Sequence, residues 1–215
     1  MNYEKNRIYF KDNPYPKGHL IKEFKWSARI YPEDGLWLDF HLISDNYYAE
    51  DEGYDEEEDL PNWDAKIVWS NYHSCSISST KWDMGGILVG TAEKKFNFGE
   101  MDDLFFHADK LPRPEDWDYE VDLAFGIYLL GHDDCADHQI SIKKNEEGKF
   151  DIEWKGKIAL TYSGDNEFKH EFYASIENVF FEEIYYPKAM SEDEAIESLN
   201  KYSENFQGLK LISGL

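Results

Sequence analysis

The chain has 215 residues, enough to bury a substantial core, and its 22 Lys and Arg against 45 Asp and Glu leave a formal charge of −23. A surface this negative disfavours nucleic acid and anionic membranes, whose binding rests on Lys and Arg neutralising phosphate, and favours a basic partner or divalent cations. Acidity alone also fits disorder, but 7 Trp, 15 Tyr and 14 Phe spread along the sequence predict a folded core.

Residues 1–20 hold Asn13-Pro14, Pro16 and Gly18, a turn-rich lead-in around one short apolar piece, Ile8-Tyr9-Phe10. The opening MNYEKNRIYFKDN has no apolar leader core, and no run approaches the ~18 apolar residues of a membrane span. Cys75 and Cys135 make neither a disulfide framework nor a paired zinc spacing, so a cytoplasmic protein with reduced thiols is expected. Phe24 to Tyr31 alternates Phe24, Trp26, Ala28 and Ile30 with Lys25, Ser27 and Arg29, the period of two that predicts a half-buried strand. Pro32-Glu33-Asp34-Gly35 supplies a turn. Leu36 to Ser44 then returns as a strand, with Leu36, Leu38, Phe40 and Leu42 on one face.

Directly after this hairpin comes Glu50 to Asp59, EDEGYDEEED, with eight acidic residues in ten, and from Ile30 to Ala65 thirteen Asp and Glu meet no Lys or Arg. Such a block repels itself and belongs to a solvated loop or an interaction surface, not to a core. A loop that only keeps the protein soluble is the plain alternative. Tyr47, Tyr48, Tyr54 and Trp63 surround the run, however, and acidic surface set with rings suits protein binding, because charge steers the encounter while rings supply affinity. The predicted partner-binding residues are therefore Glu50, Asp51, Glu52, Tyr54, Asp55, Glu56, Glu57, Glu58, Asp59 and Trp63. The predicted partner is a basic protein, with no nucleic acid and no membrane.

Beyond the run, Ala65 to Trp69 and Ser74 to Ser79 read as strands separated at Asn71-Tyr72-His73. Gly86 to Thr91 reads as a short strand, and Lys94 to Phe98 as a continuation of the sheet. Glu100 to Trp117 reads as a long loop with one helical turn at Met101 to Phe106. From Tyr119 onward, strands are predicted at Asp122 to Leu130, Gln139 to Lys144, Lys149 to Trp154, Ile158 to Ser163, Phe168 to Ile176 and Val179 to Tyr185, with a turn at Lys155-Gly156-Lys157. A helix follows from Ser191 to Asn205. It opens on the capping box Ser191-Glu192-Asp193-Glu194 and lays Ala195, Ile196, Leu199 and Tyr202 along one stripe. The fold expected is mainly β, an antiparallel β-sandwich or curved sheet with one C-terminal α-helix. The chain reads as a single domain over 1–215, with room for two sub-sheets at about 20–99 and 118–215.

The only compact cluster of potential metal ligands is Gly131 to His138, GHDDCADH. Zinc accepts His, Cys and Asp, but this spacing matches no known site, and a polar hairpin loop is the simpler reading. The acidic run fits no EF-hand register, and no nucleophile elbow, phosphate loop or dinucleotide fingerprint is present, so neither catalytic residues nor a cofactor nor a metal is predicted. Among 45 carboxylates some pair will stand at a glycosidase spacing, so abundance carries no evidence for catalysis. Trp26, Trp37, Trp69 and Trp154 fall in predicted strands, where a core role is the better reading.

The segment Asp151 to Pro187, DIEWKGKIALTYSGDNEFKHEFYASIENVFFEEIYYP, with the SEDEA helix after it, resembles in general character the immunity proteins of bacterial polymorphic toxin systems. These are small, acidic, cytoplasmic and rich in Trp and Tyr. The resemblance implies a non-enzymatic inhibitor that binds a cognate toxin, often a basic nuclease, and occludes its active site; it assigns no binding residue. A carboxylate-rich face suits such a target, since it complements a surface built for phosphates. The rival reading is a carbohydrate- or calcium-binding β-sandwich module, or a hydrolase built on that fold.

Overall fold

The computed structural model describes residues 4–50, 60–82, 84–118 and 122–214. It begins with β1 (Arg7–Phe10), β2 (His19–Tyr31) and β3 (Gly35–Ser44). The hairpin predicted between the last two is present, in register from Tyr31 opposite Gly35 to Ile21 opposite Ser44. Gly35 is required at the turn: its φ is +129°, and a Cβ there would lie 2.4 Å from the Gly90 carbonyl oxygen. Trp26, Ala28, Ile30, Leu36, Leu38, Phe40 and Leu42 are buried as the alternation predicts. Arg29 on the opposite face is buried too, because its guanidinium meets Asp39 at 3.5 Å and donates to the carbonyls of Met84 and Gly85.

The next element corrects the sequence reading. Residues 66–72 form a helix, α1 (Lys66–Tyr72), where a strand was expected over Ala65 to Trp69. A strand would have aligned Ala65, Ile67 and Trp69 on one face. The helix instead buries Trp69 completely and leaves Ile67 49% exposed. Trp69 packs against Phe10, Tyr15, His19, Tyr47 and Trp63, and that tertiary packing overrides the β-propensity of Ile67 and Val68.

The chain continues through β4 (Ser76–Ser78), β5 (Ile87–Gly90), β6 (Phe96–Asn97), β7 (Asp103–Ala108), β8 (Gly126–Tyr128), β9 (Asp134–Lys144), β10 (Phe150–Ala159), β11 (His170–Val179) and β12 (Ile184–Tyr186). It ends with α2 (Glu192–Tyr202), β13 (Ser203–Glu204) and β14 (Leu211–Ser213). Four further corrections stand among these. The stretch over 103–108 is a strand, not a helical turn, and β6 pairs with β13 instead of extending the main sheet. Strand structure between residues 122 and 130 is confined to 126–128. Most informative is β10, which runs straight through Lys155-Gly156-Lys157, where a turn was expected. Gly156 sits at an irregularity in the pairing with β9, and a Cβ on it would stand 2.5 Å from the Phe172 ring; the glycine makes room for a core ring.

Of the two architectures expected, the curved sheet is the one present. Of the described residues, 42% are in strands and 12% in helices. Its main path runs β7-β9-β10-β11-β1-β2-β3-β4-β8, all antiparallel, with β5 on β3, and with β12 and β14 added parallel beyond β2. Strands from both halves of the chain thus share one sheet, joined where β1 pairs with β11 and β2. Phe40 on β3 and Trp154 on β10 are not neighbours along this path, yet their ring centroids are 5.9 Å apart. The sheet therefore curls around its aromatic core. The predicted capping box of α2 is formed, with Ser191 Oγ accepting from the Glu194 N–H at 3.3 Å and Glu194 Oε2 accepting from the Ser191 N–H at 2.8 Å. Ala195, Leu199 and Tyr202 are buried beneath it.

Candidate binding site

Asp51, Glu52, Tyr54, Asp55, Glu56, Glu57, Glu58 and Asp59 lie outside the described residues. What the structure places is the pair of ends between which they run. Glu50 accepts a bidentate pair of hydrogen bonds from Arg7, at 2.6 Å from Nη1 to Oε2 and 2.8 Å from Nη2 to Oε1. Arg7 opens β1, is itself buried, and also donates from Nε to Glu4 at 2.9 Å. The hydrogen bond to Arg7 holds the Glu50 carboxyl below its ordinary range.

At the other end, Trp63 is 4% exposed, so it is not the surface anchor expected of it. Its indole N–H donates to the Lys11 carbonyl at 3.0 Å, and its ring lies flat on His170 with centroids 3.8 Å apart. Phe10 and Trp69 close its edges. Tyr47 is likewise buried, with its hydroxyl on the Leu129 carbonyl. Sequence proximity to charge did not reveal that these rings point inward. Glu50, the first residue of the run, and Trp63, four residues past its last, thus bond at the two ends of one four-residue strand: Arg7 is its first residue, and Lys11 follows its last.

Between the two fastenings the β1–β2 connection walls a cleft of about 740 Å³. One cross-strand row crosses its floor, with Tyr9 opposite Tyr173, Tyr173 opposite Lys155, and Lys155 opposite Gln139. Tyr9 and Tyr173 stand 6.4 Å apart by centroid, and Lys155 Nζ lies 5.5 Å above the Tyr173 ring. The charges at the rim are paired, Lys157 with Asp137 at 3.4 Å and Lys11 with Glu171 at 3.2 Å. A hollow of about 320 Å³ adjoins at Tyr15 and Pro16 and reaches Glu50, and another of about 530 Å³ adjoins at Lys11 and Asp12 and reaches Trp63. The cleft shares Tyr15 and Pro16 with the second hollow and Lys11 and Asp12 with the third.

The GHDDCADH cluster is not the hairpin loop that its polarity predicted, because 134–138 already belong to β9. Its side chains separate to different elements. Asp133 accepts from the N–H groups of Leu130 and Tyr162, Asp134 takes a bidentate pair from Arg113, and Asp137 bonds His107 at 2.7 Å. Burial pushes the Cys135 thiol well up. His138 turns fully inward, accepts the Trp154 indole N–H at Nδ1 over 3.1 Å, and brings Nε2 to 3.7 Å from Asp109 Oδ2. Among the described residues, no three His, Cys, Asp or Glu side chains are grouped to hold a metal ion. The His138–Asp109 pair escaped the sequence reading because Asp109 falls in a stretch assigned to a loop. The pair lies in the core, with His138 0% and Asp109 6% exposed.

No helix among the described residues is long and apolar enough to cross a membrane. Comparison with protein-family models, curated proteins and solved structures finds nothing that matches this chain.

Proposed function

We propose that this chain is a non-enzymatic binding protein that captures a basic protein partner, in the manner of a bacterial immunity protein occluding the active site of a nuclease-like toxin. The observation that carries the reading is the acidic run in a molecule of net charge −23, bracketed in sequence by the bidentate Arg7–Glu50 pair and by buried Trp63. Glu50 and Trp63, which bracket the remaining carboxylates of the run in sequence, bond to Arg7 at the start of β1 and to Lys11 just past its end. Carboxylates this dense in sequence, in a molecule of this net charge, raise the rate at which an oppositely charged surface arrives. A partner built to hold phosphates presents such a surface.

The test is kinetic. Glu56, Glu57 and Glu58 are reversed to Lys, and association with a basic protein retained from the native cell at low salt is followed over a range of ionic strength. Association slows and its salt dependence flattens, while dissociation changes little, because steering acts over about 8 Å at physiological ionic strength and not on the docked contact. Retention of no basic protein at low salt, or rates indifferent to the reversal, overturns the reading. The cleft supports a second reading, a saccharide site, through the Tyr9 and Tyr173 rings beside the polar row of Lys155 and Gln139. A change in Trp fluorescence on titration with oligosaccharide, without any basic partner, favours that alternative.

A further inference from the structure

Tyr47 and Trp63 are buried, and a set of partly open rings lies elsewhere on the molecule. Five rings from four segments form a continuous strip around β8, the terminal strand of the main sheet path. Centroid to centroid, Tyr162 stands 6.2 Å from Tyr72, Tyr72 6.3 Å from Tyr128, Tyr128 5.3 Å from His132, and His132 6.2 Å from Trp82. Every step is edge to face. Tyr162 is 62% exposed, His132 is exposed, and the other three are half-buried.

Glycines seat the two end rings. Gly131, at φ +127°, lies so close under Tyr162 that a Cβ there would come within 2.4 Å of the ring; a Cβ on Gly126 would come within 2.8 Å of the Trp82 ring. Asp133 Oδ1 accepts the Tyr162 N–H at 3.3 Å and fixes the turn that carries the ring. Exposed rings already held in one place lose little freedom on binding, which is what an anchoring surface needs.

We propose that this strip is the anchoring surface for an Arg- and Lys-rich segment of the basic protein partner, its cations seated against ring faces. The proposal rests on the reading that the chain binds a basic protein. Two observations select a cation. Lys81 Nζ already stands 4.8 Å from the Trp82 centroid, so one of the protein's own cations occupies the end of the strip. The net charge of −23 draws cationic segments and repels single-stranded nucleic acid, the other ligand that stacks on rows of rings. Charge steers through the acidic run, and the strip supplies the slow-dissociating contact.

The test titrates the full chain with three probes at physiological ionic strength: a peptide of alternating Arg and Gly, the same peptide with citrulline for Arg, and cellohexaose. The Arg peptide binds and the citrulline peptide does not. Tyr72→Leu with Tyr162→Leu keeps apolar bulk but removes the π faces, and weakens the Arg peptide about tenfold with an unchanged thermal midpoint. Tyr72→Phe with Tyr162→Phe retains binding. Should the double Leu variant lose its fold, Tyr162→Leu alone, at a 62% exposed position, carries the test. If the Leu variants bind as well as the parent while reversal of Glu56 to Glu58 abolishes binding, the strip is excluded and the basic-partner reading stands. If the parent does not distinguish arginine from citrulline, both fall. Binding of cellohexaose in place of the peptide assigns the strip to a saccharide and overturns the proposal.

Discussion

His138 and Asp109 set opposing acid sensitivities in the core. Because Nδ1 of His138 accepts the Trp154 N–H, its proton resides on Nε2, facing Asp109. Burial lowers the imidazole from 6.5 to about 3 and raises the Asp109 carboxyl from 3.8 to about 6. The folded His138 refuses a proton that the unfolded chain accepts, so its contribution is complete above pH 6.5 and is lost as pH falls toward 3. Asp109 acts the other way: the folded carboxyl takes its proton near pH 6, whereas the unfolded one waits until 3.8, so stability is gained on acidification between those values. His19, lowered to about 4 chiefly by burial, adds to the acid-labile side. Asp109→Asn keeps an oxygen to accept the Ala124 N–H but cannot titrate. Denaturant melts between pH 6 and 4 are expected to show this variant losing stability more steeply than the parent, by up to about 1.4 kcal/mol per pH unit, one proton's worth. Equal slopes would mean that Asp109 is ionised in the core throughout that range.

At the scale of elements, α1 is where local propensity and tertiary packing disagree most sharply. If 66–72 is helical, Ile67→Lys lies at an outward position and changes stability by within about 0.5 kcal/mol, while Trp69→Ala costs about 3–5 kcal/mol. A strand would make both substitutions costly, so urea midpoints of the two variants decide between them. The β2–β3 hairpin and α2 were legible because their signals are local: a period of two flanking a Pro-to-Gly turn, and a capping box ahead of a helical stripe. The β7 strand was hidden because Phe105 is 62% exposed, which breaks the alternation that Leu104, Phe106 and Ala108 otherwise keep. Lys155-Gly156-Lys157 imitates a turn, although its glycine is there to admit Phe172 from the neighbouring strand. For the candidate site, the acidic run announced itself, but its fastening did not. Arg7 and Glu50 are 43 residues apart in sequence, and the rings of the exposed strip come from four segments, around residues 72, 82, 128–132 and 162, that only the fold brings together.

For the whole molecule, net charge acts against the compact free protein and, on the proposed function, in favour of its complex with a basic partner. A charge of −23 repels itself in the compact state, and exposed pairs such as Lys11–Glu171 and Lys5–Glu177 relieve little of this, since each is screened by water. Raising ionic strength from about 0.01 to 0.15 M shortens the screening length from roughly 30 to 8 Å, which removes most of the long-range repulsion but leaves the buried Arg29–Asp39 contact nearly untouched. The thermal midpoint of the free protein is therefore expected to rise with sodium chloride over this range. Affinity for a basic partner is expected to fall over the same range, because the same screening weakens the attraction that steers association. Opposite salt responses measured on one sample, by calorimetry without partner and by binding with it, separate a charge kept for a partner from one balanced within the fold. A midpoint that falls with salt would show that surface ion pairs, and not self-repulsion, dominate the electrostatics of this molecule.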